Sequence, residues 1–266
     1  MSETKTLDTL LRSYYESYYK NELGLPDWEK RVEARCREED VWGGVNIGRI
    51  EKWLSYDFSG KKVLVVGGGT GAEAICLNKR GAEVYVIEPY DPAVEILKRK
   101  ADEVGIPPER FMKAYAEDLP FEENEFDFVY CFTVLEHVAN VEDTVREMVR
   151  VSKVDGWIFI VTPDYRQYYE PHYKMTLPMF MPKWFIKWCL WKAGRPTAFL
   201  DTLQLVNARK LAYFFQSLPV LSFQLFHPWP ESWTRNPSRR EKLIMWITRL
   251  TGAQRDQWWF LKKVGK

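Results

Sequence analysis

One stretch constrains this 266-residue chain more than any other: the apolar run Val63, Leu64, Val65, Val66 passes directly into Gly67, Gly68, Gly69, Thr70, Gly71 and then into Ala72 and Glu73. A short apolar run bounded by turn signals reads as a buried strand, and the sequence after Gly71 reads as a helix. A glycine-rich turn between a strand and a helix serves a mechanical purpose. Without side chains it can tighten and let a ligand approach the backbone, and the next helix offers unpaired N–H groups to a negative group. A pyrophosphate and a methionine carboxylate both suit it. Glu88 closes the second apolar run, 17 residues after Gly71, where a carboxylate can accept hydrogen bonds from both hydroxyls of a ribose.

The rest of the chain supplies the frame for such a turn. From Lys61 onward, apolar runs at 63–66, 83–87, 126–132 and 157–162, with a weaker one at 110–115, alternate with amphipathic stretches at 72–80, 92–104 and 141–152. That alternation predicts βα units around a parallel sheet. Residues 7–57 read as helical, with Leu7, Leu10, Leu11, Tyr14, Tyr15 and Tyr18 on one face. After Pro163 the alternation is lost in residues 165–199, which are dense in aromatics, Pro and Lys and read as an insertion or lid. A helix over 207–218 capped by Asn207, a strand over 220–226, a helix over 239–250 and a last strand over 257–264 follow. The expected division is a helical cap (1–58), a ligand-binding core (59–165), a lid (166–200) and a C-terminal part completing the sheet (201–266).

Composition excludes several classes. Lys and Arg number 38 against 37 Asp and Glu, so no global field draws nucleic acid, and Arg235, Arg239, Arg240 and Lys242 form the only tight basic cluster. The four cysteines contain no Cys-x-x-Cys pair, which argues against a zinc site and a disulfide framework; no metal is expected. The polar N-terminus lacks the apolar core of a signal peptide, and no run of about 18 apolar residues occurs, so a cytoplasmic location is expected.

Gly67, Gly69 and Ala72 also fit the dinucleotide pattern Gly-x-Gly-x-x-Gly/Ala, so the turn and Glu88 alone do not separate NAD from S-adenosylmethionine. The downstream residues decide. Ala116-Glu117-Asp118-Leu119-Pro120-Phe121, then Phe126-Asp127-Phe128-Val129, then Val134-Leu135-Glu136-His137-Val138 stand in order. Over about residues 60–165 the chain resembles the class I S-adenosylmethionine-dependent methyltransferases of the small-molecule type. The resemblance implies a Rossmann-like α/β fold with helices on both faces of a seven-stranded, mostly parallel sheet, its last strand antiparallel, plus the helical cap and aromatic-rich lid. It implies S-adenosylmethionine as cofactor and S-adenosylhomocysteine as product. It puts Gly67, Gly69 and Gly71 around the methionine and ribose, Glu88 on the ribose, Pro89 or Tyr90 beside the adenine, Ala116 and Glu117 at the adenine edge, and Phe132 near the sulfonium. Two positions depart from the family: Val65 and Tyr115 stand where acidic residues are usual.

Methyl transfer from a sulfonium asks mainly for positioning and exclusion of water. At most one base is expected, and His172 is the first candidate, with a surface-loop histidine as the plain alternative. His137 is the second, more simply read as a structural histidine. The expected acceptor is a small molecule, a lipid-linked intermediate or a sugar; methylation of tRNA or protein, a nicotinamide oxidoreductase and a non-catalytic binding module are the alternatives. From Leu177 to Lys192 the chain carries Trp184, Trp188 and Trp191 on one potential helix face and Lys183 and Lys187 on another. The plain reading buries the Trp side chains against the core; the sharper one makes the segment a peripheral membrane contact.

Overall fold

Leu64 and Val66 are buried in one hydrophobic core and Val63 and Val65 in another. That two-sided burial is why the first strand is a continuous apolar run rather than an alternating one. The computed structural model describes residues 6–166, 169–218, 221–226, 237–239, 241–242, 245–246 and 256–265. The strands are β1 (Lys62–Val66), β2 (Glu83–Ile87), β3 (Phe111–Met112), β4 (Phe126–Phe132), β5 (Ser152–Pro163), a small hairpin β6 (Tyr169–Glu170) and β7 (Met175–Thr176), β8 (Leu221–Phe226) and β9 (Asp256–Lys263). Apart from the hairpin they form one seven-stranded sheet in the order β3-β2-β1-β4-β5-β9-β8. β3, β2, β1, β4 and β5 pair in parallel, whereas β9 runs antiparallel to both β5 and β8. The expected sheet is therefore present, with its last strand reversed.

Helices cover both faces. α5 (Val141–Val151) and α8 (Ala208–Gln216) contribute Val145, Met148, Leu211 and Phe215 to the core on one side. On the other lie α2 (Trp28–Leu54), α3 (Ala72–Asn78) and α4 (Asp91–Val104), contributing Ile47, Ile50, Ile75 and Leu97. The cap expected at Asn207 is present, accepting from the Lys210 N–H, and Asn140 likewise accepts from the Glu142 and Asp143 N–H groups, satisfying orphan donors of the first turns.

Several boundaries differ from expectation. The weak strand at 110–115 shrinks to an edge pair beside β2, while β5 begins at Ser152, directly after α5, and bulges between its pairings with Phe126 and Phe128. The N-terminal helical stretch is broken into α1 (Leu7–Glu16), a π-helical turn at Ser17–Glu22, and α2; Gly24 at φ 59° and then Pro26 interrupt it. α1 docks through Leu11 and Tyr15 against Val32 of α2 and Ile96 of α4. α2 lies so close to the start of α3 that a Cβ on Gly43 would come within 2.9 Å of the Ala72 carbonyl. The helix expected over 239–250 lies largely outside the described residues, as do Arg235 and Arg240 of the basic cluster.

The insertion folds around a core of its own. Tyr165, Tyr173, Leu177, Ile186, Leu190 and Leu203 pack together with Leu23 and Leu25 from the break between α1 and α2. Its main element is α6 (Lys183–Lys192), followed by the short α7 (Ala198–Thr202). Ile186 and Leu190 face inward, Lys183 Nζ donates to the Leu203 carbonyl, and Lys187 pairs with Asp201. Trp184, Trp188 and Trp191 are 69%, 50% and 65% exposed. The plain reading of this segment is thereby corrected: aliphatic side chains take the inward positions of α6, and the Trp stripe faces outward.

Candidate active site

The glycine turn, Glu88 and the end of β4 meet at one edge of the sheet because the strands share a register. Val66 pairs with Ile87 on one side and Cys131 on the other, so Gly67, Glu88 and Phe132 each lie one residue beyond the paired rows. This is the carboxyl edge of the parallel strands, where ligands of open α/β sheets bind. Gly67, Gly69 and Gly71 have φ of 68°, 50° and 91°, a left-handed turn that side chains disfavour. A Cβ on Gly67 or Gly71 would strike Val134 or Leu97, but one on Gly69 would meet nothing within 4 Å. Gly69 is thus the open floor of the turn.

Glu88 is buried beside that floor, and both carboxylate oxygens are held: Oε2 accepts from the Gly69 N–H at 2.8 Å and Oε1 from the Tyr90 N–H at 3.0 Å. Burial pushes its carboxyl above the ordinary range, with the Tyr90 and Gly69 N–H groups opposing. Each oxygen keeps a second lone pair, so a carboxylate fixed this way can still receive two hydroxyls. Open space over Gly69 next to an oriented, acceptor-only group fits the ribose and methionine parts of S-adenosylmethionine. Pro89 is half-buried; Tyr90 is exposed, its ring 6.0 Å from that of Tyr14 in α1. Ala116 is buried in the core, and Glu117 accepts from the Ala139 and Asn140 N–H groups at 2.6 and 3.3 Å, fastening the loop after β4. Phe132 packs edge-on against Trp258 of β9 at 6.1 Å. Val65 lies in the core and Tyr115 is exposed.

The two candidate histidines, distant in sequence, lie together. Their rings are 5.2 Å apart, and each is also in contact with Phe199, at 5.7 Å for His137 and 5.3 Å for His172. His172 is not a surface-loop residue: its side chain is 10% exposed, and Nδ1 lies 2.6 Å from Oε1 of the buried Glu170. Glu136 completes the group. Its side chain is fully buried, Oε2 accepts from the Thr162 hydroxyl at 2.9 Å, and Oε1 has no hydrogen-bond partner. Burial lifts its carboxyl to about 7, with His172 opposing. Burial first and His172 second lower the His137 imidazole to about 4. Sequence reasoning passed over Glu170, and treated Glu136 only as a motif letter. The signal for Glu170 was its spacing of two from His172; for Thr162 there was none.

The N-terminal cap reaches the same edge. Tyr15 Oη lies 3.0 Å from the Thr70 hydroxyl in the glycine turn and donates to Glu39 at 3.1 Å, and Glu39 also holds the buried Lys100 of α4. Asp127 stands away from this edge, accepting from the Lys62 N–H and pairing with Lys153, and so ties β1, β4 and β5 at their starts.

Residues 64–160 match a methyltransferase domain family. The uncharacterized methyltransferase YcgJ of Bacillus subtilis is 33% identical over 100 residues, 38% of this chain and 40% of that protein. Its crystal structure shares the fold, with a TM-score of 0.56 at 20% identity, covering 82% of this chain and 98% of that one. A ubiquinone biosynthesis O-methyltransferase of Chromobacterium violaceum is 36% identical over 136 residues, 51% of this chain and 56% of that protein. A demethylmenaquinone methyltransferase of Staphylococcus saprophyticus is 32% identical over 131 residues, 46% of this chain and 55% of that protein. The chain thus spans 40 to 56% of the length of these curated relatives. The matched domain over residues 64–160 and the shared sheet topology support a class I methyltransferase with S-adenosylmethionine as its cofactor.

Proposed function

We propose that the protein transfers a methyl group from S-adenosylmethionine to a small-molecule acceptor bearing a hydroxyl. The single observation that carries the cofactor half is the Glu88 carboxylate, fixed by the Gly69 and Tyr90 N–H groups beside the open floor at Gly69. Gly67, Gly69, Gly71 and Glu88 hold the methionine and ribose, with Tyr90, Pro89, Ala116 and Glu117 around the adenine. When bound, S-adenosylmethionine supplies a methyl group already activated on sulfur. What remains for the chain is to hold the acceptor in line, exclude water and remove the acceptor's proton. The relatives named as a ubiquinone biosynthesis O-methyltransferase and a demethylmenaquinone methyltransferase support a small-molecule acceptor.

His172 is the residue we assign to the acceptor's proton. With Nδ1 committed to Glu170, Nε2 is the nitrogen left to take a proton, and a hydroxyl gives up its proton there as the oxygen bonds to the methyl carbon. His137 packs against it and is the second assignment. Residues 59–165 form the cofactor part in this reading, 166–200 the acceptor part.

The outward Trp stripe of α6 supports a further statement, that the acceptor is lipid-linked or drawn from a membrane surface. Trp and Lys together suit the headgroup boundary, and α6 carries three Lys and no acidic residue. Among the described residues no helix is long and apolar enough to cross a membrane.

Calorimetry with S-adenosylhomocysteine, S-adenosylmethionine and NAD tests the cofactor half. Binding of the first two and not the third is expected. Binding of NAD alone would overturn the reading. Methyl transfer from labelled cofactor to phenolic and lipid-linked acceptors, with transfer lowered in His172→Ala, tests the other half.

A further inference from the structure

The group formed by Glu136, His137 and His172 has a composition that proton transfer alone does not require. One ligating atom from each of the three lies within 4.8 Å of the others. Glu136 Oε1 is 3.9 Å from His172 Nε2, fully buried, and has no hydrogen-bond partner. A buried carboxylate oxygen without a donor is costly unless a proton or a cation satisfies it. The donor set is two imidazoles and one carboxylate, which suits first-row divalent cations such as Zn²⁺ or Fe²⁺ rather than Mg²⁺ or Ca²⁺.

The surroundings argue in the same direction. Metal-ligating histidines commonly give their other ring nitrogen to a carboxylate, which fixes tautomer and ring orientation. His172 does this with Glu170 at 2.6 Å, leaving Nε2 as the free ligand atom. Glu170 is itself oriented, because its other oxygen accepts from the Tyr173 N–H. Glu136 is oriented by the Thr162 hydroxyl at 2.9 Å. Ligand atoms around a tetrahedral zinc are about 3.4 Å apart, so small side-chain rotations close the present separations onto one ion. Glu136 and His137 follow β4, Thr162 lies in β5 and His172 in the insertion, so a shared ion would couple the sheet edge to the acceptor segment.

We propose that Glu136, His137 and His172 form a binding site for one first-row divalent transition-metal ion, with Glu170 and Thr162 as the groups that orient the ligands. Three protein ligands leave at least one open position, which takes an oxygen of the acceptor. That last role rests on the methyltransferase reading; the binding of the metal does not. A hydroxyl coordinated there becomes more acidic and loses its proton to solvent as the acceptor enters, before water is excluded; in the metal-bound protein His172 is a ligand, and the proton-accepting role assigned to its Nε2 above is that of the metal-free protein.

The test uses the intact protein, dialysed against EDTA and titrated with Zn²⁺ alone by calorimetry and with Co²⁺ alone by visible absorption. One equivalent of tight Zn²⁺ binding and the d–d bands of a protein-bound Co²⁺ are expected. His172→Ala should abolish the bands. Glu136→Gln, which keeps the volume, should weaken Zn²⁺ binding severely, and Glu170→Gln by about 10- to 100-fold, with unchanged far-ultraviolet circular dichroism showing that the variants fold. No saturable Zn²⁺ binding to the wild-type protein overturns the proposal, as does equal binding by wild type and His137→Ala/His172→Ala. If S-adenosylhomocysteine binds and Zn²⁺ does not, the metal site is wrong and the methyltransferase reading stands. Zn²⁺ binding without S-adenosylhomocysteine binding has the reverse meaning.

Discussion

The hydroxyl of Tyr15, in the N-terminal cap, lies 3.0 Å from the hydroxyl of Thr70, in the glycine turn. Tyr15 is buried, and the guanidinium of Arg35 sits 5.6 Å from its ring centroid. The cap is therefore joined by a polar contact to the loop that is to bind the cofactor, besides its apolar packing through Leu11. Tyr15→Phe keeps the ring and removes this contact together with the hydroxyl's bonds to Glu39 and Arg35. A hydrogen bond of this kind contributes about 1 kcal/mol, so affinity for S-adenosylhomocysteine should fall roughly 3- to 10-fold, measured by calorimetry. Unchanged affinity would show that the cap and the turn are energetically independent.

Gly69 and Gly105 offer a matched pair. Both have positive φ, 50° and 71°, and a Cβ on either meets nothing within 4 Å. Alanine in the left-handed region costs about 1–2 kcal/mol at either position. Gly105 ends α4, away from the glycine turn. Gly69→Ala and Gly105→Ala should therefore lower the melting temperature alike, while only Gly69→Ala loses S-adenosylhomocysteine affinity, by tenfold or more on the order of 1.4 kcal/mol. Equal affinity loss in both would mean that backbone strain, not proximity to ligand, governs binding.

Glu88 predicts a pH dependence. Its pKa is raised in the free protein by burial, so the proton returns at a pH where an exposed glutamate is still charged. The neutral form is a poorer acceptor for ribose hydroxyls. Affinity should be full above the raised pKa and decline as pH falls through it, and Glu88→Gln should be weak with a flat profile. Calorimetric titration from about pH 7.5 to about pH 5 checks this; a wild-type profile parallel to that of Glu88→Gln would remove Glu88 from the site.

The Trp stripe of α6 makes a separate prediction. If it meets lipid, the protein co-sediments with anionic vesicles at low salt, less so as salt rises. Trp184→Ser/Trp188→Ser should abolish this without lowering the melting temperature, because both side chains are at least half exposed. A wild-type protein that stays in the supernatant leaves a soluble acceptor.

Local chemistry made much of this protein legible in its sequence. The apolar run 63–66 followed by Gly67, Gly69 and Gly71 determined a strand, a tight turn and a helix start, because each depends on neighbours in the chain. The cap at Asn207 and the alternation of strands and helices followed in the same way, whereas the reversed last strand was what the family resemblance implied. What only the tertiary structure decided depends on residues far apart. Ile186 and Leu190, not the Trp side chains, face inward on α6, since the satellite core they enter includes Leu23 and Leu25 from more than 160 positions earlier in the chain. Glu136 and His172 are 36 positions apart, and their meeting depends on how the insertion folds back over the sheet edge, which no local periodicity encodes. Burial then changes what they are: an exposed Glu-His pair is ordinary, whereas a fully buried carboxylate facing two imidazoles is a candidate site, because removing water is what gives an unpartnered charge its cost.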